Sequence, residues 1–515
     1  MTPRGKGLFV VAALAAAALL VAGLSPHLVP TGDQATFVLL GRAIASGEGY
    51  ADAFRPDAPP HTKFPPLLPL LVAPIAARDI EARSFVLSQS IVLAIAVLGA
   101  GFAYVFFRPS GKGVAALLAA LLLFNARFYA SSHTLMSDVP FITASLAALV
   151  ALRAAARSER VLSRAAIAAG AALAAAVLFR TVGAALAVAG ALFLLLGVES
   201  RGEVPFRIRK AAVVLFPPVA TLAAWLLRNN VVAGRSTEYL RQIGAANPED
   251  AAAGALTPGG FADRIWSAFY DYFFQSGDLL FLRAEAVGLV PALEVPALFV
   301  LAVAVGAIVA AYIPLLISGR GPAELWVLLY VGALVVYPYR SWRYALPLLP
   351  FLLHYLWIGL GRLVSPMAWK AASRAAVLGG FAAANLAAIG VFLAEGDRRE
   401  FGGHRIAGVS AEDFYLGGYG ELFRAARWAR ENVPEDAVVF TDKAEYVALW
   451  SGRKTIPYPG FREPERILED ALARRADVLL TDDLTKRDLG RRPDLLAPHF
   501  AEARRFGRTI VWERR

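Results

Sequence analysis

Long apolar stretches separated by polar loops recur along the first three quarters of the chain. Most of these stretches approach the roughly 20 residues that an α-helix needs to cross a bilayer. Several are shorter, so neighbouring stretches such as 165–179 and 182–197 are either re-entrant or extend into their flanks. The pattern predicts about eleven spans, at residues 8–28, 84–107, 114–130, 138–152, 165–179, 182–197, 211–227, 291–317, 325–338, 344–361 and 375–394.

Composition places the chain among polytopic membrane proteins. Of its 515 residues, 57% are hydrophobic and only 18% are charged, which excludes an ordinary soluble enzyme. The chain has no cysteine, so disulfides, thiolate nucleophiles and cysteine metal sites are excluded. The net charge of +11 does not indicate nucleic acid here, because Lys and Arg collect in short loops between spans.

The distribution of basic residues predicts the orientation. Arg4 and Lys6 precede the first span, and the short loops carry groups such as Arg153, Arg157 and Arg160 with few acids. The positive-inside rule therefore puts the N-terminus and these loops in the cytoplasm. The long segments 30–83, 228–290 and 395–515 then lie on the exterior face.

The first exterior segment begins with residues 31–34, Thr-Gly-Asp-Gln, which have the spacing of a helix capping box. Phe37, Leu40 and Ile44 follow on one helical face. We therefore expect an amphipathic helix along the membrane surface, with Asp33 in its first turn at the lipid boundary.

The second exterior segment contains a dense group of aromatic residues. Such a group is typical of an interfacial helix, and an aromatic belt without a ligand is its simplest explanation. The group comprises Trp266, Phe269, Tyr270, Tyr272, Phe273 and Phe274.

After residue 395 the composition becomes that of a soluble protein. We therefore divide the chain into a transmembrane domain, 1–395, and a small exterior α/β domain, 396–515. Periodicity predicts helices at 419–432 and 464–475 and strands at 437–441, 476–481 and 509–512.

Ionisable residues stand at the predicted exterior ends of several spans. Charged groups at membrane depth cost on the order of 2.5 to 3.5 kcal/mol each, so their presence indicates a function. Asp33 with Lys63, Asp138, Arg180 and the segment 337–344 all lie on this side. We expect them to converge on one cavity.

A carboxylate accompanied by several cations suits transfer of a group from a phosphate to an acceptor hydroxyl or amine. The carboxylate takes the acceptor proton as a general base, and the cations neutralise the departing phosphate. Phosphate needs no acid to leave, whereas a glycosidase uses two carboxylates. Gly-rich phosphate loops, zinc spacings and Ser-His-Asp patterns are not recognisable in the sequence.

Each candidate residue also has a purely structural explanation. Asp33 or Asp138 could simply be a charge at a helix N-terminus, and His61 could be an ordinary loop histidine. The basic candidates Lys63, Arg340 and Arg343 could extend toward lipid headgroups.

Six short motifs follow one another along the first 395 residues. They are Gly47-Glu-Gly-Tyr50, His61-Thr-Lys-Phe-Pro-Pro-Leu67, Ser137-Asp-Val-Pro-Phe141, Phe179-Arg-Thr-Val-Gly183, Trp225-Leu-Leu-Arg-Asn229 and Arg343-Tyr-Ala-Leu-Pro347. In this order they resemble the motifs of bacterial GT-C glycosyltransferases. The similarity is greatest to the dolichyl-phosphate-mannose protein mannosyltransferases and to the aminoarabinose transferases that act on lipid A, over about residues 1–395.

The resemblance implies a GT-C type helical bundle that uses a polyprenyl-phosphate sugar as donor and inverts the anomeric centre. By position, Asp33 matches the family's catalytic base, and Lys63 matches a lysine that contacts the donor phosphate. Arg343 and Tyr344 match an Arg-Tyr element suited to phosphate or headgroup binding. The family often has an Asp-Glu pair where this chain has Asp33 and Gln34.

The complete predicted site has Asp33 as catalytic base and Asp138 as a candidate second acid. We assign no metal ligand and no certain cofactor, and leave a divalent cation open. The expected partners are the lipid-linked sugar, a lipid, protein or glycan acceptor and membrane lipids. The predicted phosphate- or substrate-binding residues are Lys63, Arg340, Arg343, Tyr344, Arg180 and His61.

The predicted location is the bacterial inner membrane, with the C-terminal domain in the periplasm. Two alternatives remain open from the residues. A transporter or flippase of lipid-linked sugars would use the same cations, although transporters usually place polar groups near the bilayer midplane. A non-catalytic assembly subunit would use the exterior domain to bind partners.

Overall fold

The structure is a computed structural model that describes most of the chain. The described residues are 3–30, 33–76, 82–197, 199, 202–234, 238–248, 254–281, 291–319, 321–363, 367–395, 411–458, 463–482, 484 and 488–515.

The described part of the first 395 residues is a bundle of α-helices, as predicted. Its helices of ten residues or more are Pro3–Ala22, Gln34–Ala45, Leu67–Ala76, Ala82–Phe107, Lys112–Leu123, Asp138–Arg157, Arg164–Phe179, Gly183–Leu196, Val204–Ala233, Pro258–Phe281, Glu294–Pro314, Pro322–Val336, Leu349–Leu363 and Met367–Glu395. Shorter helices are Ala126–Ser132, Glu238–Gly244 and Trp342–Ala345.

Six helical segments in the described residues are long and apolar enough to cross a membrane, so the chain is a multi-pass membrane protein. A seventh span is formed if Lys112–Leu123 and Ala126–Ser132, which meet at a bend of 62°, count as one. The predicted total of eleven is not confirmed, because four predicted spans coincide with shorter apolar helical stretches. These are Ala13–Ala22, Arg164–Phe179, Gly183–Leu196 and Pro322–Val336.

The helix predicted to lie on the membrane surface forms at Gln34–Ala45, but protein covers most of it. Ala35, Phe37 and Leu40 are buried, and the helix packs against Leu67–Ala76 on one side. Gly41 permits this close approach, because a Cβ there would lie 3.3 Å from the carbonyl oxygen of Pro69. Thr31, the first residue of the predicted capping box, lies outside the described residues.

The aromatic segment of the second predicted loop forms the helix Pro258–Phe281. Trp266, Phe269 and Tyr270 are exposed on it, which agrees with an interfacial location. The preceding helix Val204–Ala233 extends beyond the predicted span and includes the first residues assigned to the loop.

A five-stranded sheet forms the centre of the C-terminal region. Its strands are β1 (Val438–Thr441), β2 (Lys454–Pro457), β3 (Val478–Thr481), β4 (Phe500–Phe506) and β5 (Thr509–Arg514), in the order β2-β1-β3-β5-β4. Strands β1, β2 and β3 are parallel, whereas β5 is antiparallel to β3 and β4. The accompanying helices are Ala411–Phe414, Gly417–Asn432, Ala444–Ser451, Pro464–Ala473 and Pro493–Leu496.

The α/β character predicted for this region is therefore confirmed, and β2, β4 and the helix Ala444–Ser451 are additional to the prediction. The helix Ala444–Ser451 packs against Gln34–Ala45. The Tyr415 hydroxyl donates a hydrogen bond to the Leu28 carbonyl over 2.9 Å, and the Thr455 amide donates one to the Phe54 carbonyl over 2.9 Å. The C-terminal region thus rests directly on the first polar segment.

Candidate functional site

A cavity of about 570 Å³ brings together most of the residues predicted to form the site. Charged side chains line one part of it, and aromatic and aliphatic side chains line the rest, a mixture typical of ligand sites. From the predicted set, the lining includes Asp33, Lys63, Arg180, Arg343 and Tyr344.

Asp33 and Lys63 form an ion pair that remains accessible to a ligand. The Lys63 Nζ lies 3.6 Å from the Asp33 Oδ1, and their side chains are 43% and 33% exposed, respectively. Asp33 is the residue at the N-cap of the helix Gln34–Ala45, but its side chain makes no capping hydrogen bond. Its carboxylate is therefore not occupied in closing the helix.

The position after Asp33 requires an amide side chain, because Gln34 both donates and accepts a hydrogen bond there. Its side chain is completely buried. The Gln34 Nε2 donates to the Val29 carbonyl over 2.8 Å, and the Oε1 accepts from the Leu135 amide over 2.8 Å. A glutamate could not make the first bond when ionised. Gln34 therefore joins the first polar segment to the residues just before Asp138.

Lys63 projects from a loop that His61 holds in shape. The His61 Nδ1 lies 2.7 Å from the Asp52 Oδ1, and its Nε2 accepts the Phe64 amide over 3.0 Å. The ring is thus the neutral tautomer, protonated on Nδ1. Both ring nitrogens have protein partners and the ring is buried, so His61 supports the loop and does not face the cavity.

Arg228 and Asn229 fasten the same loop to the helix Val204–Ala233. Arg228 donates to the carbonyls of Tyr50 and His61, and the Asn229 amide donates to the Thr62 carbonyl over 3.2 Å. Neither residue was among the predicted site residues. The polar Arg228-Asn229 pair at the end of an apolar span was the available signal.

Asp138 has a different environment from Asp33. It is only 1% exposed and forms ion pairs with two arginines, Arg180 and Arg343, the second at 3.3 Å. A buried carboxylate between two guanidinium groups is a structural counter-ion. This arrangement holds both arginines at the cavity and gives Asp138 a positioning role.

The turn that carries Arg180 depends on a close helix contact. Arg180 has extended backbone angles at the end of the helix Arg164–Phe179, and the next helix begins at Gly183. A Cβ on Gly183 would come within 2.6 Å of the Ala176 backbone, so only glycine allows this turn. The motif Phe179-Arg-Thr-Val-Gly183 is explained by these requirements.

Arg340 lies outside the lining of this cavity, unlike Arg343. Its guanidinium pairs with Asp271 and donates to the Ser267 hydroxyl over 2.6 Å. Both partners belong to the helix Pro258–Phe281. Arg340 therefore fixes that helix against the bundle.

No set of three or more His, Asp or Glu side chains in the described part of the chain is close enough to hold a metal ion.

Several cavity residues were not predicted. Gln242 and Ile243 come from the short helix Glu238–Gly244, and Thr181 follows Arg180. The aromatic residues Phe37 and Tyr330 also line the cavity. Their contribution depends on packing between distant segments, for which the sequence carries no local signal. Tyr337 and Tyr339, also in the wall, belong to the segment 337–344, which was expected to converge on the cavity.

Comparisons with known proteins match part of the sequence to one family model and the fold to solved structures. Residues 65–225 match the family model described as dolichyl-phosphate-mannose-protein mannosyltransferase. No curated protein matches the chain in sequence.

Solved structures match over nearly the whole chain. ArnT from Cupriavidus metallidurans bound to undecaprenyl phosphate superposes with a TM-score of 0.60 at 14% identity, covering 98% of both chains. The oligosaccharyltransferase AglB from Archaeoglobus fulgidus, in complex with an inhibitory peptide and a dolichol-phosphate, superposes with a TM-score of 0.55 at 13% identity. That match covers 93% of this chain and 70% of AglB.

The family model and the shared fold agree with the order of motifs read from the sequence. The chain is therefore a multi-pass membrane protein with the GT-C fold that resembles the dolichyl-phosphate-mannose protein mannosyltransferases and ArnT.

Proposed function

We propose that this protein is an inverting glycosyltransferase that moves a sugar from a polyprenyl-phosphate donor to an acceptor on the periplasmic face. The observation that carries the proposal is the single cavity in which the accessible Asp33–Lys63 pair lies with Arg180 and Arg343.

Asp33 acts as the general base in this mechanism. It takes a proton from the acceptor hydroxyl or amine, whose oxygen or nitrogen then attacks the anomeric carbon from the face opposite the phosphate. A bond forms between the acceptor and the sugar as the bond between the anomeric carbon and the phosphate oxygen breaks. The polyprenyl phosphate leaves with the electron pair, and no acid is required.

Lys63, Arg180 and Arg343 stabilise the departing phosphate. Lysine supplies a compact charge, and arginine supplies a planar fork that matches phosphate oxygens. Asp138 keeps the two arginines oriented before the donor arrives, so little reorganisation is needed during the reaction. Tyr344 lines the same cavity and contributes a hydroxyl near the lipid-phosphate end.

The comparisons give independent support for the donor class. ArnT and AglB share this fold, and their solved structures contain bound undecaprenyl phosphate and a dolichol-phosphate, respectively. A lipid-linked phosphate also suits a cavity in a membrane bundle. The transferred sugar is a hexose or a pentose, and the acceptor is a lipid, a protein or a glycan.

The orientation follows from charge. The basic loops are assigned to the cytoplasm of a bacterial inner membrane, which puts the cavity and the domain 396–515 in the periplasm. In this proposal the C-terminal domain covers the first polar segment and helps to shape the acceptor entrance.

The proposal is tested by transfer with the purified full-length protein in proteoliposomes. Radiolabelled undecaprenyl-phosphate sugars carrying arabinose, mannose, glucose or galactose serve as donors, and a membrane extract serves as acceptor source. The Asp33→Asn variant is compared with the wild type. Asp57→Asn is the matched control, because Asp57 is an exposed carboxylate of the same segment.

The expected result is label in a new product with the wild type and Asp57→Asn, and its loss with Asp33→Asn. Label that crosses the bilayer on an unchanged carrier would instead establish a flippase. Wild-type transfer rates in Asp33→Asn would contradict the role of the base.

A further inference from the structure

The cavity contains neutral polar atoms that the proposed transfer chemistry does not use. The Gln242 Oε1 and the Thr181 Oγ1 are both buried without a hydrogen-bond partner in the structure. Both residues line the cavity that contains Asp33 and Lys63. Buried polar groups are normally hydrogen-bonded, so two such atoms in one cavity indicate a ligand that supplies the partners.

Gln242 is held in place by an unusual backbone anchor. Its side chain is only 7% exposed. Arg264, itself nearly buried, donates to the carbonyls of Ile243 and Ala245 over 2.7 and 2.8 Å. The Leu256 amide also donates to the Gly244 carbonyl over 2.9 Å. The backbone next to Gln242 is therefore fixed.

Thr181 is fixed by the helix turn next to it. The Gly183 amide donates to the Arg180 carbonyl over 2.8 Å, and the Ala184 amide donates to the Thr181 carbonyl over 3.1 Å. Thr181 thus follows Arg180 on a short, constrained turn, and both residues line the cavity.

The chemistry of the two atoms specifies the kind of ligand. An amide oxygen accepts a hydrogen bond, and a threonine hydroxyl both donates and accepts. Neither carries charge, so they do not favour a second phosphate or a carboxylate. Hydroxyl or amino groups of a sugar satisfy both atoms, while the nearby cations satisfy the phosphate.

We infer that Gln242 and Thr181 form the subsite that recognises the hydroxyl or amino groups of the donor sugar. This inference rests on the proposed function and adds the residues that distinguish a sugar-loaded carrier from the bare carrier. The subsite uses neutral hydrogen bonds, and the charged residues bind the phosphate that both carriers share.

The test compares binding of undecaprenyl phosphate with binding of the same lipid phosphate carrying arabinose, mannose, glucose or galactose. The full-length protein is used in detergent, and Kd is measured for each probe. Gln242→Leu and Thr181→Val remove the polar atoms with little change in size. Matched controls are Gln275→Leu and Thr441→Val, because those residues also have a buried unpartnered oxygen but lie outside the lining of this cavity.

The wild type is expected to bind at least one sugar-loaded carrier more tightly than the bare carrier. Each subsite variant should weaken that binding by roughly 5- to 10-fold, the effect of one buried hydrogen bond, and change bare-carrier binding by less than about twofold. The two control variants should behave as the wild type.

Three results would overturn the inference. The subsite variants could bind sugar-loaded carriers as the wild type does, could weaken both carriers equally, or the wild type could show no preference for any sugar-loaded carrier. If the wild type binds neither the bare carrier nor any sugar-loaded carrier, the proposed function is refuted as well.

Discussion

Two aspartates near the cavity have the same side chain and opposite environments. Asp33 is one-third exposed and pairs with a single lysine at 3.6 Å. Asp138 is almost completely buried and pairs with two arginines. A carboxylate that lines the cavity beside one cation can contact a ligand, whereas a carboxylate enclosed by two guanidinium groups already has its partners.

We therefore assign Asp33 to the reaction and Asp138 to holding the two arginines in place. Asp33 has a free face toward the cavity, so its removal should affect the reaction more than the fold. Asp138 neutralises two partly buried cations, whose side chains are 18% and 26% exposed, so its removal should affect the fold and the reaction together.

Replacing Asp138 by alanine should cause the greatest loss of stability. Breaking a fully buried ion pair by removing one partner costs about 3 to 5 kcal/mol, and the partial exposure of Arg180 and Arg343 makes this range an upper bound. Thermal unfolding in detergent should show a clear decrease in Tm. Asp33→Ala is the matched comparison and should cost less than about 1 kcal/mol, as for an exposed ion pair. Equal destabilisation by both variants would refute the distinction.

Replacing Lys63 by alanine should weaken carrier binding without unfolding the protein. A hydrogen bond from a charged group contributes about 1.5 to 3 kcal/mol, so the Kd for undecaprenyl phosphate should rise roughly 10- to 100-fold. Lys112→Ala, an exposed lysine at the start of the helix Lys112–Leu123, serves as control. Unchanged affinity in Lys63→Ala would show that this lysine does not meet the phosphate.

Replacing His61 by alanine should act on Lys63 indirectly. The change leaves the buried Phe64 amide and the Asp52 carboxylate without their partner, at a cost of about 1 to 3 kcal/mol, and loosens the loop that presents Lys63. Transfer should fall at least several-fold. Asparagine at position 61 can replace part of the hydrogen bonding, so His61→Asn should retain more activity than His61→Ala. Full activity in His61→Ala would exclude the supporting role.

The smallest effect is expected at Glu445. This residue lies on the helix Ala444–Ser451, which packs against the helix that follows Asp33. Burial, together with the charge of Asp33, raises the pKa of Glu445 above its ordinary value of 4.5. The folded protein therefore holds this proton more tightly than the unfolded chain, and the wild type loses stability as pH rises from that value through the folded pKa.

The Glu445→Gln variant cannot ionise, so its stability relative to the wild type should increase as pH rises through this window. Below the ordinary pKa of Glu445 the difference should no longer depend on pH. Melting curves between pH 4 and pH 8 measure this trend, with exposed Glu431→Gln as the control. A constant difference over the whole range would contradict the prediction.

The sequence predicted which charged residues line the cavity better than it predicted the number of membrane spans. Asp33, Lys63, Arg180 and Arg343 could be identified because charged residues at the ends of apolar spans are costly and therefore conspicuous. The number of spans depends on how short apolar helices are counted, because Gly183–Leu196 and Arg164–Phe179, of 14 and 16 residues, fall short of the roughly 20 residues of a perpendicular span.

Arg340 and Arg343 show why the sequence alone did not predict the role of every residue at the site. They are three positions apart in one motif, yet Arg340 pairs with Asp271 and Arg343 with Asp138. The difference depends on where the helix Trp342–Ala345 begins and on which distant helices pack against it. Gln242 and Thr181 were missed for the same reason, since a neutral side chain becomes notable only when its burial is known.

The central claim, that Asp33 drives transfer in a cavity that binds a lipid phosphate, is tested most directly by measuring two quantities on one variant. The single-turnover rate of sugar transfer and the Kd for undecaprenyl phosphate are compared between Asp33→Asn and the wild type. We expect a rate lower by about 10²- to 10⁴-fold, as for loss of a general base, with a Kd within about twofold of the wild-type value. A wild-type rate in Asp33→Asn, or a loss of carrier binding equal to the loss of rate, would contradict it.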